Sequence, residues 1–189
     1  DCPRTRALAL GQDGRSFSLH GFGNPGRALL LPFDKWRPTI AGNYQWLVRR
    51  AAVLEGGTGQ GALLAWQDHC QASWLKCARP KVVAWPWENH SWERAFVRRA
   101  KALGIMTIGY QHSVVGRQML NYGPGSNGDG VAGLPDQILT SGQATLDRLI
   151  TMGVPRQNLH IGGALRFTAT AKVTHDPHGP VFVALPFDG

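Results

Sequence analysis

Apolar and polar positions alternate weakly at the start of this chain and in a regular rhythm from residue 81 onward. In the first third, residues 6–10, 17–19 and 28–31 are short apolar runs between Gly, Asp, Asn and Pro turns, a pattern that predicts strands. Residues 43–54 and 62–78 carry helical spacing, separated by Gly56-Gly57-Thr58-Gly59-Gln60-Gly61, a helix stop followed by a flexible turn. Residues 81–85 then form a β-rich run stopped by Pro86. Ser91 is the predicted N-cap of the next helix, with Glu93 in its first turn where the helix dipole favours negative charge. That helix runs to Leu103, and Gly104 supplies the C′ residue. A strand over 105–110 leads into a glycine-rich loop over 111–134, longer than structureless loops usually are unless they work or move. A strand over 137–140, Ser141 as N-cap, a helix over 144–152 ended by Gly153 and a strand over 159–161 complete the series.

Repeated strand, helix, strand units imply an α/β fold: a Rossmann-like parallel sheet with right-handed crossovers, flanked by helices. Its domain spans residues 1–173. Residues 174–180 are polar and turn-rich like a linker, and Val181-Phe182-Val183-Ala184-Leu185 starts a fresh strand close to Gly189. Residues 174–189 are therefore expected to be a linker and the first strand of a second domain. Since the first residue is Asp1, the chain reads as a piece of a longer protein.

The 189 residues suffice for a sizeable core, and no apolar run approaches the roughly 20 residues a bilayer span needs. A net charge of +8 favours partners bearing phosphate or carboxylate, or peripheral contact with an anionic membrane. The basic residues are dispersed, with pairs at Arg49/Arg50 and Arg98/Arg99 but no longer run, which argues against a nucleic-acid-binding arm. Cys70 and Cys77, seven apart on a predicted helix, lie roughly 10 Å apart along its axis, too far for a disulfide. Reduced thiols and a cytoplasmic location follow. His69 beside Cys70 lacks the converging second cluster that zinc requires, so no metal and no cofactor are expected.

Candidate chemistry gathers at two predicted strand ends, where open α/β sheets bind ligands. The first is Trp85-Pro86-Trp87-Glu88-Asn89-His90-Ser91-Trp92-Glu93-Arg94; the second is Gly109-Tyr110-Gln111-His112-Ser113. Glu88 has the position of a general base or a hydroxyl-binding carboxylate, and also that of a group accepting amides from the following helix. His112 can shuttle a proton or bind a phosphate or sugar hydroxyl, with Gln111 beside it. Glu93 reads as structural. One of Trp85, Trp87 and Trp92 is a candidate for stacking on a sugar ring, although such indoles are more often core. Arg166, after the last strand, can reach an anionic group. Three glycine patterns, starting at Gly21, Gly57 and Gly123, resemble a dinucleotide fingerprint, but none joins a strand to a helix, and they are read as turns.

The order of Glu88-Asn89-His90-Ser91-Trp92-Glu93-Arg94-Ala95, Ile108-Gly109-Tyr110-Gln111-His112-Ser113, Leu120-Asn121-Tyr122, Leu134-Pro135-Asp136-Gln137-Ile138 and Gly162-Gly163-Ala164-Leu165-Arg166 resembles bacterial surface-polysaccharide biosynthesis glycosyltransferases of GT-B fold, most closely the Kdo-transferase-like group. The later part is also similar to the first domain of the UDP-GlcNAc 2-epimerases. The resemblance covers residues 81–189. It implies the N-terminal, acceptor-side half of a two-domain enzyme that transfers a sugar from a nucleotide-sugar donor to a surface polysaccharide or lipid-linked glycan of capsule or lipopolysaccharide type. A C-terminal domain would hold the donor nucleotide, and the half alone would be inactive. Under that reading Glu88 and His112 are the catalytic groups, and Asn89, His90, Gln111, Asn121 and Arg166 bind substrate. A nucleotide-sugar epimerase and a non-catalytic glycan-binding or assembly module are the rival readings.

Overall fold

A computed structural model of the chain describes residues 18–33, 43–55, 59–165 and 177–179. Four parallel strands form its centre: β1 (Val82–Pro86), β2 (Met106–Gln111), β3 (Gln137–Thr140) and β4 (Leu159–Ile161), paired in chain order. The α-helices among the described residues are α1 (Pro25–Leu30), α2 (Gln45–Glu55), α3 (Gly59–Ala78), α4 (Ser91–Ala102) and α5 (Gln143–Thr151). This is a Rossmann-like α/β arrangement, a parallel sheet flanked by helices.

Neighbouring positions of paired parallel strands turn to the same side, so Val83 with Thr107, and Trp85 with Gly109, Ile138 and Leu159, form one face of the sheet. That face is the core side: Val83, Thr107, Ile138 and Leu159 are buried beneath α4, α5 and the loop that follows β2. Two apolar clusters lie there, one around Trp87, Tyr122, Ile138 and Leu149, the other around Leu75, Val83 and Phe96, and Trp85 touches both. On the alternate side Val82 and Met106 remain 46% and 37% exposed. Gly109 is required by packing. A Cβ there would lie 2.8 Å from the Cβ and Cγ of Trp87 and 3.0 Å from Cγ of Pro135, so only glycine lets the indole cross the strand.

The helix signals of the second half match the structure closely. Gly104, at φ +70, ends α4 in the left-handed conformation that glycine tolerates, and Gly153 does the same after α5 at φ +91. The caps shift by one residue: His90 rather than Ser91 precedes α4, and Gly142 rather than Ser141 precedes α5. The expected loop over 111–134 is built of short 3-10 turns, Leu120–Tyr122, Pro124–Ser126 and Gly130–Gly133, tied down by the ion pairs of Asp129 with Arg94 and Arg98.

The first third departs from expectation. Residues 28–31, predicted as a strand, fall in α1 and the 3-10 turn Leu31–Phe33. The cause is local: Oδ1 of Asn24 accepts the Gly26 amide at 2.8 Å and Pro25 takes the first helical position, so this cap and proline start a helix. Leu19 opens a 3-10 turn, Leu19–Phe22, instead of closing a strand. The expected turn over 56–61 does not reach Gly61, because α3 already begins at Gly59; residues 56–58 lie outside the described residues. The predicted strand over 6–10, Cys2 and most of 174–189, including the proposed second-domain strand, lie outside the described residues. Cys70 and Cys77 are free thiols, and burial pushes that of Cys70 above its ordinary pKa.

Candidate functional site

Pro86 closes β1, and one further ladder bond, from the Trp87 amide to the Tyr110 carbonyl at 2.8 Å, holds the chain beside β2 before it turns. Three residues, Glu88, Asn89 and His90, make the turn into α4. Glu93, one turn into the helix, reaches back: its carboxylate accepts the His90 amide at 2.7 Å and the Glu88 amide at 3.2 Å. Burial pushes the Glu93 carboxyl above its ordinary pKa, and those two amide bonds oppose the shift. Asn89 stands at φ +58, a left-handed conformation that asparagine accepts more readily than most side chains. The side chain fixes it there, Nδ2 donating to the Asn121 carbonyl at 2.6 Å while Oδ1 accepts from Arg94 at 3.3 Å. Asn121 returns the tie by donating Nδ2 to the Glu88 carbonyl at 2.7 Å.

Reversal of the backbone at Asn89 brings Glu88 and His90 to the same side. Nε2 of His90 lies 3.0 Å from Oε2 of Glu88. From the end of β2, Nε2 of His112 approaches the other carboxylate oxygen, Oε1, at 3.9 Å. One carboxylate thus stands between two imidazoles that come from two strand ends. Exposure of 38% for the Glu88 side chain, 55% for His90 and 26% for His112 leaves the group open to a ligand. A carboxylate so held can accept a proton from a hydroxyl, and the imidazoles can orient it or share the proton.

Other residues singled out in the sequence lie elsewhere. Gln111 is fully buried, because alternation along β2 turns it to the core side with Thr107 and Gly109; its Nε2 binds the carbonyl and hydroxyl of Ser113. It braces the start of the loop instead of facing a ligand. Asn89 is 2% exposed, and its side chain and that of Asn121 are spent on the turn, although both border a polar cavity of about 400 Å³ shared with His90, Arg94 and Asp129. Arg166 lies outside the described residues. Of the three indoles, Trp87 is fully buried and Trp85 is wedged between the two core clusters. Trp92 lines a groove beside β1 with Trp74 and Phe96.

A second cavity, of about 320 Å³, opens at the carboxyl ends of β2 and β3 and is lined by Tyr110, His112, Ser113, Ser141, Thr145 and Arg148 among others. Sequence reasoning missed the last three as a set. Their spacing, i, i+4 and i+7 beginning just after a strand, is the signal the sequence offers, where Ser141 reads only as a cap. Tyr110 frames this cavity, donating its hydroxyl to the Gly163 carbonyl at 2.9 Å and accepting the Leu165 amide at 3.0 Å. His69 accepts the Asn24 amide at 3.2 Å, a tie between α3 and the segment before α1. Among the described residues no three His, Cys, Asp or Glu side chains converge as metal ligands, and no helix is long and apolar enough to cross a membrane.

No family model, curated protein or solved structure matches the chain.

Proposed function

We propose that this chain is the acceptor-side, N-terminal half of a GT-B glycosyltransferase that builds a surface polysaccharide or lipid-linked glycan from a nucleotide-sugar donor. The observation that carries the reading is the Glu88 carboxylate, exposed between His90 and His112 at the ends of adjacent strands. In this reading Glu88 takes the proton of an acceptor hydroxyl as that oxygen bonds to the anomeric carbon, and the bond from that carbon to the donor phosphate breaks. His112 steadies the carboxylate and the incoming hydroxyl. Charge developing on the leaving phosphate requires its own stabilisation, assigned to the facing domain and to cations along the cleft. The net charge of +8 suits both an anionic donor and an acceptor held at an anionic membrane surface.

The test is Glu88→Gln in the full-length protein, with transfer of labelled sugar from nucleotide donor to glycan acceptor as the readout. The amide keeps the shape and removes the base, so transfer is expected to fall at least about 100-fold while the unfolding midpoint holds. Near-normal transfer would overturn the role. Conversion of the nucleotide sugar to its epimer without any acceptor would replace the transferase reading with an epimerase.

A further inference from the structure

Arg148 lines a cavity, and among the described residues no acidic side chain pairs with it. The three arginines of α4 have acid partners: Arg94 and Arg98 meet Asp129, and Arg99 meets Asp68. The side chain of Arg148 has no hydrogen bond or ion pair among the described residues, and its Nε is buried without a partner. His112 lines the same cavity, and its Nδ1 is likewise buried and unpartnered. Two such nitrogens on residues of one cavity are unusual, because buried donors and acceptors in folded proteins nearly always find partners.

The remaining polar groups of the cavity are donors or can act as donors. Ser141 and Thr145 present hydroxyls that lie 3.3 Å apart, and Ser113, whose hydroxyl also meets Tyr122 and Gln111, adds a third. Thr145 and Arg148, three residues apart, share one face of α5, Ser141 stands just before its cap, and all three line the cavity, so the guanidinium and the two hydroxyls border the same space. Among the described residues no acidic side chain lines the cavity. The cap residue of α5, Gly142, has no side chain to occupy the first amides of the helix, which adds to the positive character already set by Arg148.

We propose that this cavity binds a phosphate group carried by the substrate. A guanidinium fork with neighbouring hydroxyls matches an oxyanion that offers several acceptor oxygens. The volume of about 320 Å³ greatly exceeds a single phosphate, so the anion belongs to a larger molecule whose sugar or nucleoside portion extends toward His112 and Glu88. The carrier's identity rests on the glycosyltransferase reading; the anion site does not.

Isothermal titration of the full chain tests the proposal with three probes: inorganic phosphate, uridine diphosphate and geranyl phosphate. Saturable binding of phosphate is expected, weakened about tenfold or more by Arg148→Ala, since a charge-assisted bond is lost. Arg148→Lys should retain part of the affinity, and Thr145→Val should weaken binding severalfold at constant side-chain shape. Arg156→Ala, a cation outside the cavity, should leave it unchanged. Tighter binding of uridine diphosphate than of phosphate assigns the site to the donor, and tighter binding of geranyl phosphate assigns it to a lipid-linked acceptor. Absence of saturable binding for all three probes, or equal affinities in wild type, R148A and T145V, would overturn the site. Loss of transfer in E88Q together with unchanged binding in R148A would leave the enzyme reading standing and remove this one. Phosphate binding lost in R148A, in a full-length protein that transfers no sugar, would do the reverse.

Discussion

At Asn89 a single residue decides the direction of the chain. Its left-handed backbone turns Glu88 and His90 toward each other, and sparsely populated conformations of this kind persist only where surrounding bonds over-determine them. Here those bonds are the reciprocal amide ties between Asn89, Asn121 and Glu88, with Arg94 bracing the buried side. Asn121→Ala removes the donor to the Glu88 carbonyl, so it should cost about 1 kcal/mol of stability, read from urea unfolding. Unchanged stability would show that the tie contributes nothing to holding the turn. The residue types at this site were legible in the sequence, including Glu93 as a structural carboxylate. Which of them face a ligand was not, because Gln111 and His112 are adjacent, yet Gln111 as the last residue of β2 turns to the core while His112, just past it, is part-exposed.

Among the elements, β1, α4, β2, β3, α5 and β4 were readable because each is local: a β-rich run, a cap, an apolar face, a glycine stop. The segment over 28–31 misled for the same reason in reverse, since a short apolar run has no intrinsic period and the decisive signal was the preceding Asn24-Pro25. Packing between elements adds demands that no local signal carries. Gly109 is such a case, a strand glycine with an indole across its face. Gly109→Ala should destabilise the protein by about 1–3 kcal/mol, because Trp87 is fully buried and has no free direction in which to retreat. A denaturant midpoint equal to that of the wild type would show that the indole can move.

Across the whole molecule, Asp129 and Asp136 are among the aspartates that connect parts distant in sequence. Asp129 ties the loop after β2 to α4 through Arg94 and Arg98, and Asp136 ties the start of β3 to β2 and α4 through Thr107 and Lys101. Burial by itself would raise both carboxyls, yet hydrogen bonds and the neighbouring cations hold both below the ordinary aspartate pKa. A lowered native pKa means stability that is present above the unfolded value, about 4, and lost as the pH falls through the native value. Glu93 acts with the opposite sign: its raised native pKa removes stability as the pH rises from the unfolded value through the native one. Asp136→Asn should therefore be less stable than the wild type at neutral pH, and the gap should narrow on acidification below about pH 4. Parallel stability curves for the two proteins across that range would contradict the assignment.

By itself the sequence determined the α/β class, the order of elements from residue 81 onward and the clustering of polar groups at strand ends, since these follow from periodicity and capping within a few residues. Tertiary structure alone decided that Glu88 stands between His90 and His112, that Gln111 turns inward, and that Arg148 lines a cavity with no counter-charge among the described residues. The physical reason is distance along the chain. Strand pairing and the reversal at Asn89 bring together groups that no local propensity relates, and burial then determines which of them water or a ligand can reach.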